Sequence, residues 1–328
     1  MTSGARDVSR RLERAARAIE RERYRDAEAH ARAARAAADD DRLRYAALDL
    51  LGNVLRMRGA YAEAARVLRA AVALAVRLAR SRRDEDRLRV AHARNSLAVL
   101  FKYTARYGDA ARLYRAALRT VIAILGADAP FAATLHHNLG GIEHARGRHA
   151  RGEPHARRAL AIRAAAGDPL ETAREAAALA ALVEGRGRLE EAARLYRRAL
   201  RVFERARARY DVAVTCNNLA SIAQTRGDRG GAESLYRRAL ALKQRLLGRA
   251  HPDVAISLNN LASLLAADRP VAAARLYRRA IAIFDAAVGR RHPSAVACRE
   301  NLTTLAALTP SSRAPRLTPR RARRSRRA

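Results

Sequence analysis

The sequence has few of the residues that form many familiar protein sites. Its 328 residues include no tryptophan, four phenylalanines and only two cysteines, Cys216 and Cys298. Two cysteines exclude a disulfide framework and a cysteine-based zinc module, and they fit a reduced compartment. Lysine occurs only as Lys102 and Lys243, so arginine supplies almost all of the positive charge behind the net +34. This one-sided excess of arginine fits compositional drift as well as it fits an anionic partner.

Long hydrophobic runs are also missing from the sequence. The first residues are charged throughout and lack the apolar stretch of a secretion signal. No segment approaches the roughly 18 consecutive apolar residues that a membrane span needs. We therefore predict a soluble, cytoplasmic protein without a membrane span.

The sequence does contain an internal repeat. Residues 217–255 and 259–297 both begin with NNLAS, continue through LYRRA and reach an HP dipeptide near their ends. Five earlier segments fall into the same register, and seven of the ten tyrosines occupy only two repeat positions. A period of this length predicts an array of stacked structural units. One repeat position holds alanine in all seven units: Ala34, Ala71, Ala117, Ala159, Ala199, Ala239 and Ala280.

The residue pattern within each unit predicts two helices. Small and apolar residues recur at steps of three and four, as in Ala232, Leu235, Tyr236 and Ala239. No segment has the alternation typical of a strand, and one unit alone would leave an apolar face bare, so stability must come from stacking. Four prolines are expected to begin helices because proline suits the first turn: Pro130, Pro169, Pro252 and Pro293. His251 and His292 precede two of them, and we interpret both as structural.

The motifs NNLA, LYRRAL and HP, repeated with a period near 42, resemble the tetratricopeptide repeat in the long form found in kinesin light chains and many bacterial regulators. The resemblance covers about residues 5–308. It implies an all-α, right-handed α-solenoid of about seven helical hairpins with a C-terminal capping helix. The expected units lie near 5–38, 41–80, 88–127, 130–166, 169–207, 210–248 and 252–289, with the cap at 292–308.

In such a stack, the resemblance implies that the first helix of each unit lines an inner groove that binds a protein or an extended peptide. Carboxamides can donate to and accept from a peptide backbone, or they can pair with each other across adjacent units, and the sequence leaves both readings open. Unit five interrupts the polar series with Ala177 and Ala178. The candidate peptide-binding residues are Asn95, Ser96, His137, Asn138, Asn217, Asn218, Ser221, Asn259, Asn260 and Ser263.

Catalysis and cofactor binding find little support in the sequence. No nucleophile stands with a matching base, and no glycine-rich loop follows a strand, so we predict a non-enzymatic scaffold without a cofactor. The histidines crowded into unit four lack the spacing of a metal motif, and we expect them to be groove or turn residues rather than metal ligands. They are His136, His137, His144, His149 and His155.

The last twenty residues, 309–328, differ in composition from the repeats. They hold eight arginines, three prolines and no acidic residue, so we expect a disordered tail. A cationic tail binds nucleic acid through release of counterions, although compositional drift explains the same residues. The alternative function is therefore a nucleic-acid-associated regulatory factor whose solenoid recruits a protein. Its candidate contacts are Arg320, Arg321, Arg323, Arg324, Arg326 and Arg327. The partner's identity and the oligomeric state are not encoded in these patterns.

Overall fold

The structure, a computed structural model, describes residues 3–21 and 23–308. Within these residues the chain forms fifteen α-helices and one short 3-10 turn, with no strand. The arginines of the C-terminal tail predicted to bind nucleic acid lie outside the described residues. The helices are α1 (Ser3–Glu20), α2 (Tyr24–Ala37), α3 (Asp41–Met57), α4 (Tyr61–Leu78), α5 (Asp84–Tyr103), α6 (Tyr107–Leu125), α7 (Pro130–Ala145), α8 (His149–Ala165), α9 (Pro169–Gly185), α10 (Leu189–Arg205), α11 (Arg209–Thr225), α12 (Arg229–Leu247), α13 (Pro252–Leu265), α14 (Pro270–Ala287) and α15 (Pro293–Leu308).

The predicted helix starts are confirmed. Helices α7, α9, α13 and α15 each begin at the proline expected to start them. At the N-terminus of α9, the carboxylate of Asp168 also accepts hydrogen bonds from the backbone N–H groups of Leu170 and Glu171. Such a cap satisfies donors that have no partner within the helix, which is why local sequence sets these boundaries well.

Consecutive helices pack as antiparallel hairpins, from hairpin one (α1 and α2) to hairpin seven (α13 and α14). Each second helix also packs against the first helix of the next hairpin, and α15 covers α14 at the end of the stack. The predicted fold class is confirmed: the described chain is an all-α, right-handed solenoid with a capping helix.

Alanine and tyrosine hold the hairpins together. The alanine that recurs in all seven units is buried in every one of them. A methyl group there lets the two helices of a hairpin approach closely, and a larger side chain would overfill the crossing. The tyrosines midway along the second helices fill the space between neighbouring hairpins. These are Tyr114, Tyr196, Tyr236 and Tyr277, all of them buried.

The solenoid also closes on itself, which the sequence did not predict. Nε2 of His251 lies 2.7 Å from the carbonyl oxygen of Met57, and Nε2 of His292 lies 3.1 Å from that of Tyr103. These contacts join the starts of α13 and α15 to the ends of α3 and α5, across 194 and 189 residues of chain. We call this contact region the seam. Gly59 belongs to it as well, because a Cβ on this glycine would lie 3.0 Å from Cδ of Pro252.

The two seam histidines use both ring nitrogens. Nδ1 of His251 accepts the backbone N–H of Asp253, and Nδ1 of His292 accepts that of Ser294, so Nε2 is the nitrogen that donates across the seam. The prolines that start α7 and α9 follow Ala129 and Asp168 instead of histidine. Of the four helices that begin at these prolines, only α13 and α15 have a histidine before the proline. These two are the helices whose starts contact a distant part of the chain.

Candidate functional site

The concave surface, formed mainly by the odd-numbered helices α5 to α11, contains a cavity of about 430 Å³. We call it the groove cavity. Helices α5, α7, α9 and α11, each the first helix of its hairpin, supply most of its wall. Its lining residues are Lys102, His137, Gly140, Gly141, His144, Ala145, Ala156, Arg174, Ala177, Ala178, Ala181, Leu182, Phe203, Tyr210, Asp211, Val214, Thr215 and Asn218.

The floor of the groove cavity is made of small apolar residues. Ala177 and Ala178 stand at the repeat positions that hold asparagines in hairpins six and seven, and Ala181 lies one turn further along α9. Phe203 and Val214 complete the apolar part of the wall. The break in the polar series therefore opens space, because two methyl groups occupy positions where neighbouring hairpins place carboxamides.

The rim of the groove cavity is polar and mostly paired. Nδ1 of His137 lies 2.9 Å from Oε2 of Glu175, which is only 3% exposed. On the opposite side, Nη2 of Arg174 donates to Oδ2 of Asp211 over 2.9 Å. These two pairs link α7 to α9 and α9 to α11, so they fix the relative positions of the helices that form the cavity.

The predicted asparagine series forms hydrogen bonds between hairpins. Asn138 donates to Asn95 over 2.8 Å, and Asn260 donates to Asn217 over 3.2 Å. Asn259 accepts from Asn301 on the cap, and Ser96 accepts from Asn53 on α3. For these residues, the structure supports the reading in which side chains pair across adjacent units.

The candidate residues do not converge on a single site. His137 and Asn218 line the groove cavity, whereas Asn95, Asn138, Asn217 and Asn260 bind one another along the stack. Ser221 and Ser263 lie further along α11 and α13, and neither lines the cavity.

A second cavity, of about 270 Å³, lies at the seam. We call it the seam cavity. Asp253, which is 6% exposed, accepts a hydrogen bond of 2.5 Å from the hydroxyl of Tyr210, and the guanidinium of Arg56 lies 5.3 Å from the centre of the Tyr103 ring. Tyr210 lines both cavities, so its ring stands between them. The lining residues are Tyr24, Arg56, Met57, Tyr103, Tyr210, Leu247, His251 and Asp253.

Sequence reasoning missed Arg56, Tyr103, Tyr210 and Asp253, although one signal pointed to two of them. The tyrosines outside the two repeat positions are Tyr45, Tyr103 and Tyr210. Tyr103 and Tyr210 both line the seam cavity. The third, Tyr45, does not line this cavity, so a tyrosine outside the repeat positions is a partial signal only.

The histidines of hairpin four form pairs. Nδ1 of His136 lies 2.9 Å from Nδ1 of His155, and the rings of His144 and His149 are 5.2 Å apart. Burial lowers the pKa of both His136 and His155, and positive charge on His155 lowers the pKa of His136 further. Within residues 3–21 and 23–308, no three His, Cys, Asp or Glu side chains are grouped so that they could hold a metal ion.

Both cysteines are buried and form no disulfide. Burial raises the pKa of the Cys216 thiol and raises that of Cys298 to about 11, which disfavours the reactive thiolate. None of the helices in the described part of the chain is both long enough and apolar enough to cross a membrane.

Two solved structures match this fold with TM-scores above 0.5, and a third matches with a lower score. A Rap protein complexed with competence and sporulation factor matches with a TM-score of 0.61 and 12% identity, over 93% of this chain and 88% of that one. The Rap conjugation gene regulator of plasmid pLS20, in complex with the Phr* peptide, matches with a TM-score of 0.56 and 14% identity, over 85% and 75%. A putative kinesin light chain from Podosopora anserina, with nearly identical TPR-like repeats, has a TM-score of 0.42 and 19% identity, over 59% and 94%.

Family comparison concerns the repeats themselves. No curated protein sequence matches this chain. One tetratricopeptide repeat model matches residues 131–205 and 211–286, and a second matches residues 46–79 and 90–130. Together these spans cover more than half of the sequence and include six of the seven hairpins, two to seven, almost entirely. The chain therefore belongs to the tetratricopeptide repeat family.

Proposed function

We propose that this protein is a non-enzymatic scaffold that binds an extended peptide segment of a partner protein along its concave surface. The observation that carries the proposal is the groove cavity, whose wall combines alanines and Phe203 with polar groups on consecutive first helices. A pocket that combines an apolar wall with a few placed polar groups is typical of a ligand site. The two Rap proteins of similar fold, one bound to competence and sporulation factor and one to the Phr* peptide, support this proposal.

The floor and the rim of the groove cavity have different roles in the proposed binding. An apolar side chain of the peptide would contact Ala177, Ala178 and Phe203, and burial of a leucine-sized group contributes about 1.5–3 kcal/mol. His137 and Asn218 are the candidate residues that remain at the cavity wall to bind the peptide backbone. Each such hydrogen bond contributes about 0.5–1.5 kcal/mol.

The remaining asparagines act indirectly in this proposal. Asn95, Asn138, Asn217 and Asn260 hold successive first helices in register through their mutual hydrogen bonds. These bonds join α5 to α7 and α11 to α13, so they help to fix the spacing of the cavity wall, and the peptide is bound by side chains outside these pairs.

Filling the floor tests the proposal. We would pass a library of random octapeptides over the immobilised protein and compare the wild type with Ala178→Phe. The matched control is Ala161→Phe, which adds the same ring at an exposed position on α8. The wild type and the control should retain the same peptides, and Ala178→Phe should lose them while keeping its melting temperature. Equal retention by all three proteins would show that the groove cavity is not the binding site.

The nucleic-acid alternative stays a prediction. It depends on the arginines of residues 309–328, which lie outside the described residues. Removal of residues 309–328 should flatten the salt dependence of nucleic-acid binding if this tail supplies the contacts.

A further inference from the structure

Another cavity, of about 580 Å³, lies where the second helices α10 and α12 meet the start of α11. We call it the arginine cavity. None of its lining residues lines the groove cavity or the seam cavity. It is therefore a separate site on the side of the second helices, away from the proposed peptide groove. Half of its eight lining residues are arginines: Arg207, Arg209, Arg238 and Arg245.

Most of the positive charge in the arginine cavity is not neutralised. Glu204 is the only acidic lining residue, and its Oε1 accepts from Nη2 of Arg238 over 2.7 Å. Within the described residues, Arg207, Arg209 and Arg245 form no ion pair. The cavity wall therefore carries three positive charges without a counter-charge, and such a concentration of one sign of charge attracts ligands of the opposite sign.

The backbone of Arg207 has a conformation for which the repeat elsewhere uses glycine. Its φ is +55°, a left-handed value that is unfavourable for a residue with a Cβ. Packing does not explain this arginine, because its side chain is exposed. A residue kept in a strained conformation is a mark of a functional site, and here the strain places a guanidinium at the cavity. The second helices α6, α8, α12 and α14 are followed instead by Gly126, Gly167, Gly248 and Gly289, all with positive φ.

The chemistry of the wall favours phosphate groups. A guanidinium is planar, remains charged and can donate two parallel hydrogen bonds to phosphate oxygens. Arg207 and Arg209 flank the turn between α10 and α11, whereas Arg245 belongs to α12, so the three cations reach the cavity from different elements. Three converging cations match a ligand with several negative charges better than they match a single carboxylate.

The size and the remaining wall of the arginine cavity indicate a whole small molecule. A volume of about 580 Å³ lies within the range of about 300–1,000 Å³ typical of small-molecule sites. Val212, Ala241 and Leu242 supply an apolar part of the wall, against which an organic group can pack. A ligand with a charged end and a less polar end would therefore use both parts of the cavity.

We propose that the arginine cavity binds a polyphosphate, the di- or triphosphate group of a ligand of nucleotide size. Arg207, Arg209 and Arg245 contact the phosphate oxygens, and Leu242 contacts the attached organic group. The cations converge on one cavity, which fits a compact ligand better than a strand of nucleic acid. This site is independent of peptide binding, because it shares no lining residue with the groove cavity.

Calorimetric titration of the full-length protein tests the proposal with two probes, inorganic tripolyphosphate and ATP. Both should bind saturably. Tighter binding of ATP would show that the organic group adds contacts, and equal affinities would assign the site to the phosphates alone. Absence of saturable binding by either probe would overturn the proposal. The arginines of residues 309–328 are present in every variant, so differences between variants report on the cavity.

Variants locate the binding. Arg207→Gly should weaken the binding of tripolyphosphate about tenfold, since it removes one charge-assisted contact, and should keep or raise the melting temperature, since glycine suits a positive φ. Arg245→Gln, which leaves the backbone unchanged, should weaken binding as well. The matched control is Arg82→Gly, which makes the same change at an exposed residue with a φ of +60° outside the cavity. It should keep the affinity of the wild type.

Two results would contradict the assignment to the arginine cavity. Equal affinities of Arg207→Gly and Arg82→Gly would show that binding depends on the overall charge of the protein. Tighter binding of a single-stranded DNA oligonucleotide than of ATP, with no difference between the two variants, would show that the protein binds nucleic acid through other residues.

Discussion

The convex and concave surfaces of this solenoid differ in whether their charged side chains form ion pairs. On the convex side, arginines of the second helices pair with acidic residues of their own or the preceding hairpin, as Arg238 does with Glu204 over 2.7 Å. On the concave side, Lys102 and Arg56 lie in cavity walls and form no ion pair among the described residues, although Asp253 attracts Lys102 and acts to raise its pKa. The net charge of +34 therefore says little about function. The charges that inform about function are those in the cavity walls that form no ion pair.

The largest effect is expected from the carboxamides between the first helices. Asn217 is 9% exposed and accepts from Asn260, so Asn217→Ala leaves a donor without its partner. We expect a loss of about 1–3 kcal/mol in the free energy of unfolding, measured by urea denaturation. The control on the convex side, Arg197→Ala, should change this free energy by less than about 0.5 kcal/mol. Equal losses in the two variants would contradict the distinction between the surfaces.

Acidic pH should weaken the seam. Burial is the main cause that lowers the pKa of His251 from its usual 6.5; Lys243 and Arg56 lower it further, whereas Asp253 and the Met57 carbonyl act in the opposite direction. The folded state therefore keeps His251 neutral at a pH where the unfolded chain already binds a proton. Its contribution to stability is complete above about pH 6.5 and declines as the pH falls below that value. His292 has the same arrangement, and burial lowers its pKa too.

A double variant isolates the seam from the other histidines. In His251→Asn with His292→Asn, a neutral amide can still accept at the helix start, whereas the bond across the seam is lost and the side chain does not titrate. The drop in melting temperature between pH 8 and pH 5.5 should be smaller in this variant than in the wild type. An unchanged drop would mean that the seam histidines do not contribute to the pH dependence.

The smallest effect is expected from the convex ion pairs. A double-mutant cycle on Arg238 and Glu204, whose side chains are 47% and 40% exposed, should give a coupling of about 0.2–1 kcal/mol at low salt. The coupling should fall towards zero in 1 M salt because exposed pairs are screened. A larger, salt-independent coupling would show that the convex arginines stabilise the fold.

The fold was predictable because its determinants are local and repeated. Proline at a first turn, alanine at a crossing and tyrosine between hairpins act within one unit or between neighbours, so their spacing can be read from the sequence. The seam was not predictable in this way. It depends on small rotations accumulated over five hairpins, and the HP dipeptide of His251 looked like a turn motif alone.

The site was predictable only in part. Sequence reasoning identified the first helices as the groove and identified Ala177 and Ala178 as an interruption, but it could not show that the interruption forms a cavity. It also could not decide whether asparagines such as Asn217 and Asn260 face a peptide or each other, because both uses need the same side chain at the same repeat position.

Hydrogen exchange with bound peptide tests the central claim, that the concave surface is the binding surface. We would compare amide exchange of the free protein with that of the protein saturated by a peptide retained from the octapeptide library. The account predicts slower exchange in segments from α7, α9 and α11, which line the groove cavity, and little change in the exposed parts of α8, α10 and α12. Protection confined to the second helices would contradict it.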